Sequence, residues 1–295
     1  MSAPLRSRTQ EGSVPSCGML RVSALYLYPV KSLRAVPVDE VTVDELGFSG
    51  DRRFLVVDEA GGFLTQRTLP AMARIATSLT GDSLVLSTDG SGDVRVPRAA
   101  DSGASLREVR VWGDAGLLAE DCGEDAAEWL GSLLGFRCRL VRIGERFHRA
   151  VGKAAARAGD LVSFADAAPL LVTGEASLAE LNRRIVEGGG GAVPMDRFRP
   201  NLVLEGGDPF AEDGWERIRI GTVVLRNAGR CDRCVMTTTD QQTGDLGREP
   251  LRTLATFRRD PDQPGAVFFG TNYIQETKSG TIRVGDGVEV MKGED

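Results

Sequence analysis

Short alternating apolar segments, separated by Gly- and Asp-rich turns, dominate this sequence and confine it to a β-rich fold. Val22, Ala24, Tyr26 and Tyr28 fall on one face of a strand, with Leu25 and Leu27 on the other. Residues 54–57 and 63–65 flank Asp-Glu-Ala-Gly-Gly, and residues 84–87 and 94–96 flank TDGSGD, so both stretches read as hairpins. Ile218 and Ile220 lead through Gly221-Thr222 into Val223 and Leu225. Ile282 and Val284 lead through Gly285-Asp286-Gly287 into Val288 and Val290. Many short strands with such turns predict barrels or sandwiches rather than a parallel βαβ sheet. The expected class is mainly β with some α.

Two helices interrupt the pattern. Ala126, Trp129, Leu130, Leu133 and Leu134 follow the 3.6-residue period, and Gly135 is placed to end that helix. Ser177 and Glu180 read as a capping box ahead of Leu181 and Ile185. A third helix is expected over residues 250–257, where Pro250 suits the first turn. Residues 187–192, EGGGGA, read as a flexible loop, the most linker-like stretch of the chain. The polar residues 1–19 read as a disordered tail without the apolar core of a secretory signal.

Composition narrows the function. The 295 residues carry a net charge of −6, which argues against general nucleic-acid binding while leaving room for a local basic pocket. No apolar run approaches the roughly 20 residues of a membrane span. The cysteines are Cys17, Cys122, Cys138, Cys231 and Cys234. An odd number with no signal peptide points to reduced thiols and a cytoplasmic protein. A single histidine, His148, excludes most His-ligated metal sites and leaves a Ser-His-Asp hydrolase resting on one residue. It sits in a basic, polar stretch and reads as a surface residue.

Four clusters can carry chemistry. Arg230-Cys231-Asp232-Arg233-Cys234 is compatible with half a zinc site, a redox dithiol, a single thiolate ligand to a soft metal, or two core cysteines in a strand. The following Val235, Met236, Thr237, Thr238 and Thr239 favour a strand over the helix that a thioredoxin-like dithiol needs. Pro29-Val30-Lys31-Ser32 follows a strand, and its hydroxyl, backbone N–H and ammonium suit a phosphate, although a surface lysine fits too. Gly50-Asp51-Arg52-Arg53-Phe54 and Arg197-Phe198-Arg199-Pro200-Asn201 add guanidinium groups at strand ends. Brought together, these would form a positive pocket in an acidic protein.

In this order, PVKS, GDRRF, FRPN and CDRC followed by VMTTTD resemble the MOSC superfamily (molybdenum cofactor sulfurase C-terminal domain). The chain is most similar to bacterial counterparts of the mitochondrial amidoxime-reducing component, and further matching stretches extend the resemblance over about residues 22–292. The resemblance implies a MOSC N-terminal β-barrel domain over residues 20–140 and a MOSC β-barrel domain over residues 141–293. It also implies a molybdenum–molybdopterin cofactor. Carried over by motif, Cys234 becomes the metal ligand and catalytic residue. Lys31, Ser32, Arg53 and Arg199 become contacts to the pterin and its phosphate, with Asp232, Arg233 and Asn272 beside them. Ala167 and Ala168 stand where relatives carry Thr-Ser, so only backbone contact is expected there.

The activity implied is reduction of N-hydroxylated compounds such as amidoximes, hydroxylamines and N-hydroxylated bases. The oxygen would be removed at molybdenum, and electrons would come from a separate ferredoxin- or cytochrome-type donor with its reductase. Some bacterial relatives continue into a fused ferredoxin where this sequence stops, and the membrane anchor of the animal enzymes is absent, so no membrane association is expected. The alternatives are a non-catalytic carrier or sulfur-transfer protein for the cofactor, acting through Cys234, and a metal-free redox sensor built on Cys231 and Cys234. One thiolate is enough for the enzyme reading, because the cofactor dithiolene brings two further sulfurs.

Overall fold

The computed structural model describes residues 19–99, 103–260 and 263–292. Apart from Met19, the tail expected over residues 1–19 lies outside them. The chain is mainly β with three α-helices, as its turn-punctuated alternation predicts.

Nine strands make the principal sheet. Along it lie Val288–Met291, Arg217–Ile220, Val223–Asp232, Gln263–Gln275, Leu170–Gly174, Leu202–Glu205, Arg21–Leu27 and Val36–Val38, with Arg259–Asp260 paired to Gln263–Gln275. Among the described strands of this sheet, only Leu170–Gly174 and Leu202–Glu205 pair in parallel, which requires a crossover. Helix α2 (Glu175–Glu187) lies on that connection. The two ends of the sheet meet. Val22 N–H donates to Asp286 C=O at 2.9 Å, Gly285 N–H to Val22 C=O at 2.8 Å, and Val288 N–H to Leu20 C=O at 2.9 Å. Glu40–Asp44 with Thr281–Arg283 covers the same seam, so the sheet closes around Leu25, Phe48, Leu202, Ile218, Leu225 and Tyr273.

The sequence between residues 54 and 142 builds a second part. A four-stranded sheet runs Phe54–Asp58, Cys138–Arg142, Asp114–Asp121, Leu106–Val111, beside a three-stranded meander of Ala76–Thr80, Ser83–Ser87 and Asp93–Pro97. The unbroken apolar run of residues 54–57 follows from burial on both faces. Phe54 and Val56 pack under helix α1 (Glu124–Leu134), while Leu55 and Val57 pack with Val109, Phe147 and Phe164. A cut at residue 140 separates strands that share one sheet, since Arg21–Leu27 pairs with Leu202–Glu205.

Several local expectations change. A register shift between Val22 and Ala24 alters the strand's phase, so Val22 joins Leu25 and Leu27 in the barrel core instead of facing away from them. Ser177 lies inside the first turn of α2 and is not its cap. Its hydroxyl donates to the Glu212 carboxylate at 2.8 Å and accepts the Phe210 N–H at 2.8 Å. The glycine run after α2 folds back on the helix, with Gly190 N–H donating to Ile185 C=O at 2.8 Å, and is no linker. Ile282 and Val288, read as flanking one turn, enter strands that pair with Glu40–Asp44 and Arg217–Ile220 respectively. Helix α3 (Leu251–Phe257) and the Gly135 terminator of α1, at φ 81°, agree with expectation.

Candidate functional site

A cavity of about 550 Å³ opens between the barrel and the second part. That size lies within the roughly 300–1,000 Å³ of small-molecule sites. Among the residues singled out from the sequence, Lys31, Ser32, Ala167, Ala168, Arg199, Asp232, Arg233, Cys234 and Asn272 all line it. Arg53 does not. Its Nη2 donates to Asp44 Oδ1 and Oδ2 at 2.6 and 2.8 Å and to Phe48 C=O at 3.2 Å, and Arg52 lines the cavity in its place.

Local backbone geometry aims these groups. Lys31 leaves the barrel on a turn stitched to the second part by Lys31 N–H to Phe54 C=O at 3.0 Å, and Ser32 takes a left-handed φ of 67°. Arg52 and Arg199 share that conformation, at φ 48° and 55°. A non-glycine residue held there costs energy and turns its side chain away from the path of the regular chain. Phe198 anchors the second of these turns by stacking on Phe269 with ring centroids 3.8 Å apart. The Arg52 and Arg199 guanidinium groups lie over the buried Tyr28 ring at 4.2 and 4.3 Å. Asn201 locks them further, accepting from Arg52 Nη1 at 2.9 Å and from Leu171 N–H at 3.2 Å.

Cationic groups dominate one end. Lys31 donates to Phe164 C=O at 2.8 Å and to the Asp166 carboxylate. Arg67 and Trp112 Nε1 reach the same carboxylate at 3.2 and 3.0 Å. Arg149 braces this loop through the carbonyls of Ser163, Ala165 and Asp166 and pairs with Asp114 at 2.7 Å. Burial pushes the Lys31 ammonium down to about 8 against the pull of Asp166, and lowers Arg199 to about 10. Desolvation favours a raised Asp166 carboxyl, but Lys31 and Arg67 outweigh it and hold the group well below the usual carboxylate range. Arg199 and Arg233 form no ion pair among the described residues. Arg67 Nη1 and Arg233 Nε are buried donors without a hydrogen-bond partner among the described residues.

The thiols differ. Cys234 is half-buried, on the residue before a single 3-10 turn, Val235–Thr238. The strand expected after it does not form, because Thr237 and Thr238 hydroxyls donate back to Cys234 C=O and Val235 C=O at 3.0 and 2.8 Å. Cys231 also lines the cavity, but Arg233 Nη1 donates to its Sγ at 2.8 Å. Cys234 Sγ has no such partner among the described residues. The Asp232 carboxylate is tied to Val267 N–H at 3.1 Å, and Asn272 Nδ2 donates to Gly229 C=O at 3.3 Å. Cys122 and Cys138 belong to the second part's core, where burial pushes their thiols up to about 12 and 11. His148 is exposed and outside the cavity lining.

Arg52, Arg67, Trp112, Arg149, Asp166 and Asn201 were not among the site residues expected from sequence. Arg52 and Asn201 lay within the basic motifs; the other four carry no local signal. No group of three or more His, Cys, Asp or Glu among the described residues could hold a metal. No helix among them is long and apolar enough to cross a membrane.

Residues 19–137 match the model of the MOSC N-terminal beta barrel domain, and residues 159–289 match that of the MOSC domain. The mitochondrial amidoxime-reducing component 1 of Mus musculus is 37% identical over 285 residues, spanning 92% of this chain and 82% of that protein. Its Homo sapiens counterpart is 36% identical over 284 residues, with 92% and 82% covered. The mitochondrial amidoxime reducing component 2 of Bos taurus is 35% identical over 284 residues, with 92% and 83% covered.

Proposed function

Because the chain belongs to the MOSC family, pairing the N-terminal barrel and MOSC domains as the amidoxime-reducing components do, we propose that it is a molybdenum-cofactor-dependent reductase of N-hydroxylated compounds. When bound, the cofactor would supply a two-electron redox centre for deoxygenating an N–O bond, with two electrons and two protons accounting for the water released.

The chain's own residues have separable tasks. Cys234 offers one soft thiolate, which suffices for a metal whose other sulfurs arrive with the pterin. Lys31 and Arg199 supply positive charge, and Ser32 a hydroxyl, for a phosphate; charge-assisted contacts of this kind contribute about 1.5–3 kcal/mol each. Arg52 keeps Arg199 in register across Tyr28. Ala167 and Ala168 leave the adjoining wall without side-chain donors, so backbone groups serve there. Electrons come from a separate ferredoxin- or cytochrome-type donor with its reductase. Free thiols at all four described cysteines fit the reducing cytoplasm we propose as its location.

The observation that carries this reading is a thiol with no hydrogen-bond partner among the described residues, in one cavity with Lys31 and two guanidinium groups that form no ion pair among them. Protein from a cofactor-competent host tests it. About one molybdenum per chain and turnover of benzamidoxime with an artificial donor are expected. Bound pterin without turnover favours the carrier, and no molybdenum with a reversible Cys231–Cys234 disulfide favours the sensor; either outcome overturns the enzyme.

A further inference from the structure

Three donors from the first half of the chain converge on the cavity carboxylate Asp166. Lys31 Nζ, Arg67 Nη2 and Trp112 Nε1 all donate to it. The Asp166 side chain is nevertheless 45% exposed, while that of Lys31 is only 6% exposed. We infer that Asp166 is a resident counter-ion, held by Lys31 and Arg67 while their anion site is empty and displaced outward when a phosphate group takes those donors. The inference rests on the reading that this end of the cavity holds the cofactor's phosphate.

The surroundings separate what is fixed from what can move. The main chain of the loop is pinned. Arg149 grips the carbonyls of Ser163, Ala165 and Asp166 at 2.9, 2.5 and 3.1 Å, and Phe164 N–H donates to Arg52 C=O at 3.1 Å. The Asp166 carboxylate, by contrast, faces the cavity and is held by side-chain donors alone. A phosphate dianion and this carboxylate cannot both sit on Lys31 without like-charge repulsion in a poorly solvated pocket. Asp166 does not escape by taking up a proton, since its neighbours hold it far below the usual carboxylate range. Rotation remains. Arg52 and Arg149 have carboxylates of their own in Asp51 and Asp114, whereas Asp166 is the carboxylate paired with both Lys31 and Arg67, which is reason for an empty site to keep it as an internal anion.

Trp112 makes the exchange visible. It is 45% exposed at the rim, with a left-handed φ of 56°, packed edge-on against Phe63 at 5.0 Å. Departure of the carboxylate removes the acceptor of its indole N–H. Cofactor-free, full-length protein is titrated with inorganic phosphate by calorimetry and by tryptophan emission, with Trp112→Phe isolating that residue's signal. Asp166→Asn should bind phosphate about tenfold tighter than the unmodified chain, since one charge-assisted contact no longer has to be broken, and should melt at lower temperature without phosphate. Equal or weaker binding would overturn the inference, because a carboxylate that only tethers the loop predicts that loss. Should Asp166→Asn not fold, the unmodified protein decides: phosphate binding that leaves the Trp112 emission unchanged overturns the inference, and a shift supports it. Phosphate binding lost in Lys31→Ala with no turnover in the loaded protein removes the enzyme reading and leaves the counter-ion standing. No phosphate binding by any variant removes the counter-ion and the phosphate site together.

Discussion

Cys231 and Cys234 share one motif but not one environment. Arg233 occupies the first sulfur at 2.8 Å, and the second, beside the cavity, has no partner among the described residues. Cys234→Ala should therefore abolish turnover with the fold intact, while Cys231→Ala keeps most of it; circular dichroism and benzamidoxime reduction measured on both variants check this. Lys31 gives a pH signature. Its pKa is lowered to about 8, so it is cationic below that value and neutral above. Affinity of the cofactor-free protein for an anion of constant charge, such as sulfate, should fall as pH rises through 8. In Lys31→Ala that fall should flatten, and cofactor retention should drop about 10- to 100-fold, the cost of one charged contact. At this scale the motifs led to residues that line one cavity, as at Lys31, Ser32, Arg199 and Cys234. They misled at Arg53. Two adjacent arginines carry no mark of which faces the cavity, and the positive φ of Arg52 decides it.

Helix α2 shows how an element depends on something distant in sequence. Ser177 is fully buried in its first turn and hydrogen-bonded to Glu212, whose carboxylate also accepts the Gly174 N–H at 3.2 Å. A residue 38 positions on thus caps this helix. Burial raises the Glu212 carboxyl and Ser177 relieves part of that cost. Ser177→Ala should destabilise the protein by about 1–3 kcal/mol by leaving a buried acceptor unmade, read from the denaturant midpoint at constant slope. Sequence pattern found the helix, because Leu181 and Ile185 must face Phe198 and Phe269. It mistook the cap, because Ser-x-x-Glu spacing cannot reveal a competing partner. The same blindness made Val235 to Thr239 look like a strand: β-branched residues have that propensity, but here the Thr237 and Thr238 hydroxyls bond backward into a turn.

At the scale of the molecule, alternation and turns announced a β-rich chain without saying which strands would meet. Nothing local links Arg21–Leu27 to Leu202–Glu205, or Glu40–Asp44 to Thr281–Arg283. Those pairings close the barrel around one core to which both halves of the chain contribute. The cavity inherits this arrangement: Lys31 comes from the exit of the first barrel strand, and Cys234 from the end of the strand Val223–Asp232. The seam at Leu20 and Val288 has its own consequence. The fold should tolerate circular permutation. Joining Lys292 to Leu20 through about five glycine and serine residues, the reach that four residues of strand demand, and reopening the chain between the exposed Asp89 and Gly90 should give a protein with native circular dichroism and the parent's anion affinity.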